Sequence, residues 1–280
     1  MNKPLYTMNF NGHLITTERP LVMGIVNITP DSFYDASRVE VGSLRERIAT
    51  MLSEGADIID VGACSTRPSG EYVSQEEELK RMHAALEVID KEFPRAIVSI
   101  DTFRAAVVRE CVRQHNVAII NDVSGYDWDK EMFDAVADAQ RAYVLTHSIA
   151  RAGEEPTYSD LIPEVLRTLS QKVWELHQRG VNDIIIDPGF GFGKSLDDNY
   201  TLLAHLQEFT LLESPLLVGV SRKSMITKVL ECSAQEALNG TTVLNSIALT
   251  KGADILRVHD VKEAVQAVRL YQKTIGNSIV

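Results

Sequence analysis

The amino-acid sequence predicts a single (β/α)8 barrel of the TIM type, with a short N-terminal β-hairpin that covers the bottom of the barrel. The chain has 280 residues, close to the roughly 250 that one such barrel occupies. Eight short apolar runs alternate with longer amphipathic segments. No linker or composition shift divides the chain, so we assign one domain, 1–280, with the hairpin in 1–20 and the barrel in 21–275.

The hairpin comes first, where residues 8–10 and 13–17 flank Asn11-Gly12, a dipeptide that favours a two-residue turn. The predicted barrel strands follow at 21–27, 58–62, 96–101, 117–121, 143–147, 183–187, 216–220 and 255–259. Most are nearly continuous in apolar residues, which is typical of parallel strands buried on both faces. Because alternation alone does not demonstrate closure, an open doubly wound sheet is the alternative architecture.

Helical periodicity fills the segments between these strands. Apolar residues recur at helical spacing in 44–52, 79–89 and 165–176. The third of these segments has Pro163 near its start and Gly180 where a C-cap glycine is expected.

Charge and cysteine content exclude several classes of function. The net charge of −11 argues against a general attraction to nucleic acid or anionic membranes. The three cysteines indicate neither a disulfide framework nor a Cys-x-x-Cys metal site. No apolar run approaches the ~20 residues of a membrane span, and the N-terminus lacks a signal-peptide core. We therefore expect a soluble, cytoplasmic protein.

Polar residues follow nearly every predicted strand, at the end where barrel enzymes carry their active sites. These residues are Asn27, Ser65-Thr66-Arg67, Asp101, Asn121-Asp122, His147, Asp187, Ser221-Arg222-Lys223, Arg257 and His259. For any single Asp or Asn, capping of the next helix explains the position equally well. A complete polar ring is better explained by a convergent site, and Arg257 lies within an apolar strand.

The types of polar side chain at the strand ends indicate the chemistry of the ligand. Asp101, Asn121 and Asp187 provide acceptors for a heterocycle with amino and ring N–H donors. The side chains that suit a phosphate or carboxylate are Arg67, Lys223, Arg257 and His259. Asn27 offers a neutral oxygen to a hard cation such as Mg²⁺ that phosphates already hold.

Two other motifs are excluded by their spacing. The run from Gly189 to Lys194 looks like a phosphate loop, but only three residues separate Gly189 from Gly193, where a P-loop has four. It also fails the G-x-G-x-x-G pattern, and we expect a flexible loop with Phe190 or Phe192 against a flat ligand. The seven histidines form no H-x-H or H-E-x-x-H pattern, which argues against a zinc hydrolase.

Taken together, the segments at the strand ends resemble the dihydropteroate synthases. The matching motifs run in order from about residue 20 to 270: MGIVNITPDSF (23–33), DVG (60–62), STRP (65–68), SIDT (99–102), IND (120–122), DPGFGFGK (187–194), SRKS (221–224) and RVHD (257–260). The resemblance implies a transferase of folate synthesis and a sulfonamide target. Such enzymes condense 6-hydroxymethyl-7,8-dihydropterin pyrophosphate with p-aminobenzoate, releasing pyrophosphate and forming 7,8-dihydropteroate.

The same resemblance implies roles for individual residues and a homodimer. The pterin would be held by Asp101, Asn121, Asp187 and Lys223. Asn27 would bind Mg²⁺ on the pyrophosphate, and Arg257 and His259 would bind the anion. Thr66 and Arg67 would lie on a mobile loop that closes over the substrates, and Ser224 would meet the p-aminobenzoate carboxylate.

Elementary chemistry agrees with these roles, since loss of pyrophosphate leaves positive charge on the pterin and negative charge on the leaving group. We expect Asp101, Lys223 and Arg257 to be catalytic, with Asp101 stabilising the pterin cation. The aromatic amine is an adequate nucleophile, so no covalent residue is required and catalysis is mainly positioning.

The sequence departs from the usual family pattern at Thr146, at Ser148-Ile149-Ala150, at Ala63-Cys64, at Tyr34 and at Ala36-Ser37. These changes bear on substrate affinity and sulfonamide response rather than on the reaction class. Three alternatives are weighed against this interpretation. An aldolase-like barrel would use Lys223 as a Schiff base. A pterin-binding methyltransferase would lack the STRP and SRKS motifs, and because this sequence has both, it argues against that alternative. A non-enzymatic pterin-binding protein would bind the ligand but release no pyrophosphate.

Overall fold

The structure is a computed structural model that describes residues 4–28, 38–64, 73–148 and 160–277. Its parallel strands are β3 (Leu21–Asn27), β4 (Ile58–Gly62), β5 (Ile97–Asp101), β6 (Ile119–Asp122), β7 (Ala142–Thr146), β8 (Ile184–Asp187), β9 (Leu217–Val218) and β10 (Ile255–Val258). They pair in the order β8-β7-β6-β5-β4-β3-β10-β9. A parallel bridge between Ile186 and Leu216 joins the two ends. The predicted barrel is therefore confirmed, and the open sheet is excluded.

Helices connect the strands around the outside of the barrel. They are α1 (Arg38–Glu54), α2 (Gln75–Glu92), α3 (Ala105–Gln114), α4 (Met132–Ala139), α5 (Leu161–Gln178), α6 (Leu196–Ala204), α7 (Ser224–Leu230), α8 (Leu238–Thr250) and α9 (Val261–Asn277), with a 3₁₀ helix at Leu206–Leu212. The three predicted helical segments lie within α1, α2 and α5. In the described part of the chain, no helix combines the length and apolar character needed to cross a membrane.

The strand boundaries differ from the prediction mainly at β9. A strand was predicted over 216–220, but β9 contains only Leu217 and Val218. The chain turns away immediately afterwards, because the Lys223 amide donates to the Val220 carbonyl at 3.2 Å. The strand predicted to reach His259 ends at Val258, since the His259 amide donates instead to Ser221 Oγ at 3.2 Å.

The N-terminal hairpin is formed by β1 (Thr7–Phe10) and β2 (His13–Thr16). Asn11 and Gly12 make its turn with φ of 51° and 93°, the left-handed conformation that the Asn-Gly pair favours. Met8 and Phe10 are buried in one cluster with barrel residues that include Leu21, Ile58 and Ile255. The hairpin thus covers the bottom of the barrel, as predicted.

Strand periodicity separates an apolar lower interior from a polar upper one. Along β4, for example, Ile58 lies in the cluster under the barrel, and Asp60, two residues on, faces the same way. Four polar side chains come from alternate strands, as the members of one barrel layer do: Asp60 (β4), Asn121 (β6), Asp187 (β8) and Arg257 (β10). This arrangement places charged groups above a packed apolar base.

Truncation of Phe10 should show how strongly the hairpin stabilises the barrel. Phe10 is fully buried, so Phe10→Ala should lower the free energy of unfolding by about 3–5 kcal/mol through lost burial and a new cavity. Leu14 of the same hairpin is 72% exposed, and Leu14→Ala should change it by less than about 0.5 kcal/mol. Equilibrium urea unfolding measures both values. Equal effects of the two variants would contradict the packing role of β1.

Candidate active site

The guanidinium of Arg257 is the centre of the polar interior. Its side chain is only 16% exposed, and its Nε donates to Asp60 Oδ2 at 2.7 Å. Its Nη2 donates to Asp101 Oδ2 at the end of β5. The same oxygen of Asp60 also accepts from Asn121 Nδ2 at 3.1 Å. One buried cation and one buried carboxylate therefore connect β10, β4, β5 and β6.

Asp60 is a functional candidate that the sequence interpretation missed, although it lies in the DVG motif. The signal was present, because Asp60 is the charged residue of an otherwise apolar strand. Its position fixes the orientation of Asn121: a carboxylate only accepts, so the amide turns its Nδ2 toward Asp60. Asn121 therefore offers its carbonyl oxygen to a ligand.

Asp101 has an unusual environment for a carboxyl group. Burial raises its pKa to about 7, and the charge of Arg257 only partly opposes this rise. Asp60 and Glu78 raise the pKa of Asp101 further. Glu78 is itself buried, accepts from Thr102 Oγ1 at 2.6 Å and pairs with Arg104. Near neutral pH, Asp101 is therefore poised between its charged and neutral forms.

Asp187 and Lys223 face each other across neighbouring strand ends. Asp187 Oδ1 accepts the Gly189 amide at 2.8 Å. Burial raises the pKa of Asp187, and the nearby Lys223 ammonium opposes that rise. Lys223 Nζ donates to the Phe190 carbonyl and lies 4.7 Å from the centre of the Phe192 ring. Phe190 is fully buried in the core, so of the two predicted aromatic candidates only the half-buried Phe192 is available to a flat ligand.

His259, one of the anion-binding candidates, lies where the loops after β9 and β10 meet. Ser221 Oγ and His259 Nδ1 are 3.0 Å apart, so the loops after β9 and β10 are in contact. Arg222 forms two hydrogen bonds with Asp260, at 2.9 and 2.7 Å, which join the same two loops. A cavity of about 490 Å³ is lined by His259 together with Arg47 and Glu54 of α1.

The remaining predicted residues fall into two groups. Asn27 ends β3 and is exposed at the mouth, in register with Gly62, which in turn pairs with Asp101. Ser224 is exposed at the first position of α7, directly after Lys223. Thr66 and Arg67 lie outside the described residues. The structure thus brings together Asn27, Asp101, Asn121, Asp187, Lys223, Ser224, Arg257 and His259 at one end of the barrel.

Comparison with known proteins adds independent information. Residues 23–259 match the sequence model of a family described as pterin binding enzyme. Over 273 residues the chain is 40% identical to the dihydropteroate synthase of Escherichia coli strain K12, covering 95% of both proteins.

Two solved structures are similar to this chain in fold and sequence. The dihydropteroate synthase of Yersinia pestis in a sulfonamide drug complex gives a TM-score of 0.89 at 36% identity, covering 97% of this chain and 100% of that one. The dihydropteroate synthase of Xanthomonas albilineans in complex with 7,8-dihydropteroate gives a TM-score of 0.85 at 35% identity, covering 96% and 99%.

The raised pKa of Asp101 predicts a pH dependence of stability. An ordinary aspartate titrates near pH ~4, whereas the pKa of Asp101 in the folded protein is about 7. Between these values the folded state holds a proton that the unfolded chain has lost, so the contribution of this group to stability falls as pH rises. Asp101→Asn removes the titration. Its stability relative to the wild type should therefore increase between about pH 5 and about pH 8.

Urea unfolding at the two pH values measures this difference. Asp138→Asn, at an exposed position of α4, is the matched control and should show no such change. A difference for Asp101→Asn that stays constant with pH would contradict a raised pKa.

Proposed function

The chain belongs to the pterin binding enzyme family, and on that premise we propose that it catalyses the dihydropteroate synthase reaction. It would condense 6-hydroxymethyl-7,8-dihydropterin pyrophosphate with p-aminobenzoate, forming 7,8-dihydropteroate and releasing pyrophosphate. The observation that carries this proposal is the Arg257 cluster, in which a buried cation and the acceptors Asp101 and Asn121 share one wall of the mouth.

Pterin recognition would use groups that only accept or only donate. The Asp187 carboxylate and the Asn121 carbonyl oxygen would accept from the amino and ring N–H groups of the pterin. Lys223, placed beside Asp187, would donate to an acceptor on the same ring. These roles require little movement, because hydrogen bonds already fix Asn121 on Asp60 and Lys223 on the Phe190 carbonyl.

The chemical step would depend on charge stabilisation. As the bond to pyrophosphate breaks, Arg257 and His259 would stabilise the negative leaving group, and Asp101 would stabilise positive charge on the pterin methylene. The amine of p-aminobenzoate then forms a C–N bond to that carbon in place of the broken C–O bond, and its proton passes to water or to the released pyrophosphate. Thr66 and Arg67 would close over the substrates, and Ser224 would donate to the p-aminobenzoate carboxylate.

The residues present fit the proposed Mg²⁺. Within the described ranges, no three His, Cys, Asp or Glu residues are grouped so as to hold a metal ion. Asn27 offers one exposed neutral oxygen at the mouth. That donor suits a cation whose other ligands are phosphate oxygens and water, a common arrangement for Mg²⁺. Bound there, Mg²⁺ would neutralise charge on the departing pyrophosphate.

We also propose a homodimer, formed through α8. This helix has no charged residue, and its exposed face carries Val243 and Ile247, at 49% and 38% exposure. Val229 and Leu230 of α7 are each 53% exposed. Uncharged apolar surface of this kind is typical of contacts between copies of a chain.

A pyrophosphate-release assay tests the proposed reaction. With both substrates and Mg²⁺, pyrophosphate and dihydropteroate should form in equal amounts, and omission of either substrate or of Mg²⁺ should abolish product. A non-enzymatic pterin-binding protein would release no pyrophosphate. Borohydride should trap no substrate on Lys223, because the proposed step forms no Schiff base. Absence of pteroate under all conditions would overturn the proposal.

Substitutions before and at the end of β8 should differ in their effect on pterin binding. Asp187→Asn loses a charged acceptor and should weaken pterin binding by about 1–3 kcal/mol, or about 5- to 150-fold. Asp183→Asn is the matched control, because Asp183 accepts from the Asn9 amide at the opposite end of the barrel. Calorimetry with 6-hydroxymethyl-7,8-dihydropterin measures both, and equal affinities would contradict the role of Asp187.

Light scattering tests the dimer. The wild type should have twice the chain mass of 31.1 kDa, and Val243→Glu should shift it toward the monomer by placing charge in the contact. Leu270→Glu is the control, because Leu270 is 71% exposed on α9 and outside the proposed surface. A monomeric wild type would refute the homodimer, and a dimer unaffected by Val243→Glu would refute the α8 contact.

A further inference from the structure

The glycine-rich segment 189–193, which matches neither the P-loop nor the G-x-G-x-x-G pattern, is followed by a buried lysine, Lys194. Lys194 is only 9% exposed. Its Nζ donates to three backbone carbonyls, those of Gly189 at 2.8 Å, His147 at 3.1 Å and Phe192 at 3.2 Å. An ammonium has three N–H donors. All three are therefore used by the protein itself, and Lys194 is not a substrate ligand.

The loop has a conformation that needs such an anchor. Gly189, Gly191 and Gly193 all have positive φ, and a Cβ at Gly189 would lie 1.9 Å from the His147 carbonyl oxygen. The loop therefore crosses the end of β7 at a distance that only glycine permits. This crossing brings several carbonyl oxygens together, and the Lys194 ammonium offsets their mutual repulsion.

Asn199 of α6 holds the other side of the loop. Its Oδ1 accepts from the Gly191 amide at 2.6 Å, and its Nδ2 donates to the Ser195 carbonyl at 2.6 Å. Between the two anchors, the backbone of 189–193 is fixed from both the barrel and the helix.

The fixed loop in turn orients two residues of the proposed pterin site. Its Phe190 carbonyl accepts from Lys223 Nζ, and its Phe192 ring lies 4.7 Å from the same atom. Its Gly189 amide donates to Asp187 Oδ1 at 2.8 Å. Lys223 and Asp187 are thus both held by the backbone that Lys194 anchors.

We propose that Lys194 is a positioning residue for the pterin site: it fastens the 189–193 loop to the end of β7 and thereby sets the positions of Lys223 and Asp187. This inference rests on the proposed function. Burial lowers the pKa of Lys194 to about 7, although the charge of Asp187 opposes that shift. Burial therefore disfavours the charged form of Lys194, and the three hydrogen bonds to backbone carbonyls offset part of that cost.

Lys194→Met tests the proposal, because methionine replaces the unbranched stem of lysine as far as Cε and removes the donors. The dissociation constant of 6-hydroxymethyl-7,8-dihydropterin and the KM for its pyrophosphate should both rise by about tenfold or more, since small displacements of binding groups are costly. The KM for p-aminobenzoate should change by less than about twofold, because Ser224, the residue proposed to meet its carboxylate, begins α7 and lies outside the loop that Lys194 anchors. A purely structural lysine would lower stability without this split.

Lys172→Met is the matched control. Lys172 of α5 is also largely buried, at 13% exposure, and its Nζ donates to a backbone carbonyl, that of Gly125, at 2.7 Å. It anchors the loop after β6 rather than the 189–193 loop, so the pterin dissociation constant should not change. Equal effects of Lys172→Met and Lys194→Met on pterin binding would overturn the proposal.

Lys194→Gln keeps the test decisive if the methionine variant does not fold. The glutamine amide retains two N–H donors and no charge. The pterin affinity of Lys194→Gln should therefore lie between that of the wild type and that of a variant in which the loop is not anchored at all. Wild-type affinity in every folded Lys194 variant would overturn the positioning role alone. A wild-type protein that neither binds the pterin nor releases pyrophosphate would instead refute the proposed function and the inference that rests on it.

Discussion

The pairing of a buried guanidinium with buried carboxylates is the constraint on which the rest of the barrel interior depends. A charge inside a protein is tolerated only when partners and hydrogen bonds replace water. Arg257 meets that condition through Asp60 and Asp101, and Asp60 in turn holds Asn121. Removal of one member would leave another charged and unpaired, so these strands carry the site as a unit. The apolar layer below, which includes Phe10, contributes stability that offsets the cost of burying these polar groups.

The sequence predicted the positions of the site better than its connections. Strand periodicity and the rule for strand ends were sufficient to place Asp101, Asn121, Asp187 and Arg257 together, because both depend on local pattern. The contact between Asp60 and Arg257 spans 197 residues, and no local pattern encodes it. The role of Lys194 was not predicted for a related reason. A lysine after a glycine-rich loop is ordinarily solvated, and here the path of the loop directs its side chain into the protein, where it donates to the His147 carbonyl. The early end of β9 depends on the turn at Lys223, which is a tertiary feature.

The net charge of −11 does not describe the charge at the site, where acidic and basic groups are close to balanced. Around the mouth, the buried acidic groups Asp60, Asp101 and Asp187 lie among the basic groups Arg257, Lys223 and Lys194, and the two that have a pKa of about 7, Asp101 and Lys194, are of opposite type. The described site is therefore close to neutral before a substrate enters. A pyrophosphate brought into such a site needs additional positive charge, which the proposed Mg²⁺ and the predicted Arg67 would supply. An acidic protein can thus bind an anionic substrate. Its site is close to neutral, and the positive charge that the substrate needs would come from the proposed Mg²⁺ and from Arg67.

The barrel is not equally strong around its circumference. Between β8 and β9 its backbone is joined by the Ile186–Leu216 bridge and a 2.8 Å hydrogen bond from the Ile186 amide to the Pro215 carbonyl, whereas β3 and β4 are paired along five positions. Asp187 and Lys223 stand on opposite sides of this seam, and the bond from Lys223 to the Phe190 carbonyl crosses it. A pterin held by both side chains would span the same gap. The substrate would then add a further connection across the most sparsely paired part of a barrel that is already closed, so that binding at the site would also reinforce the sheet.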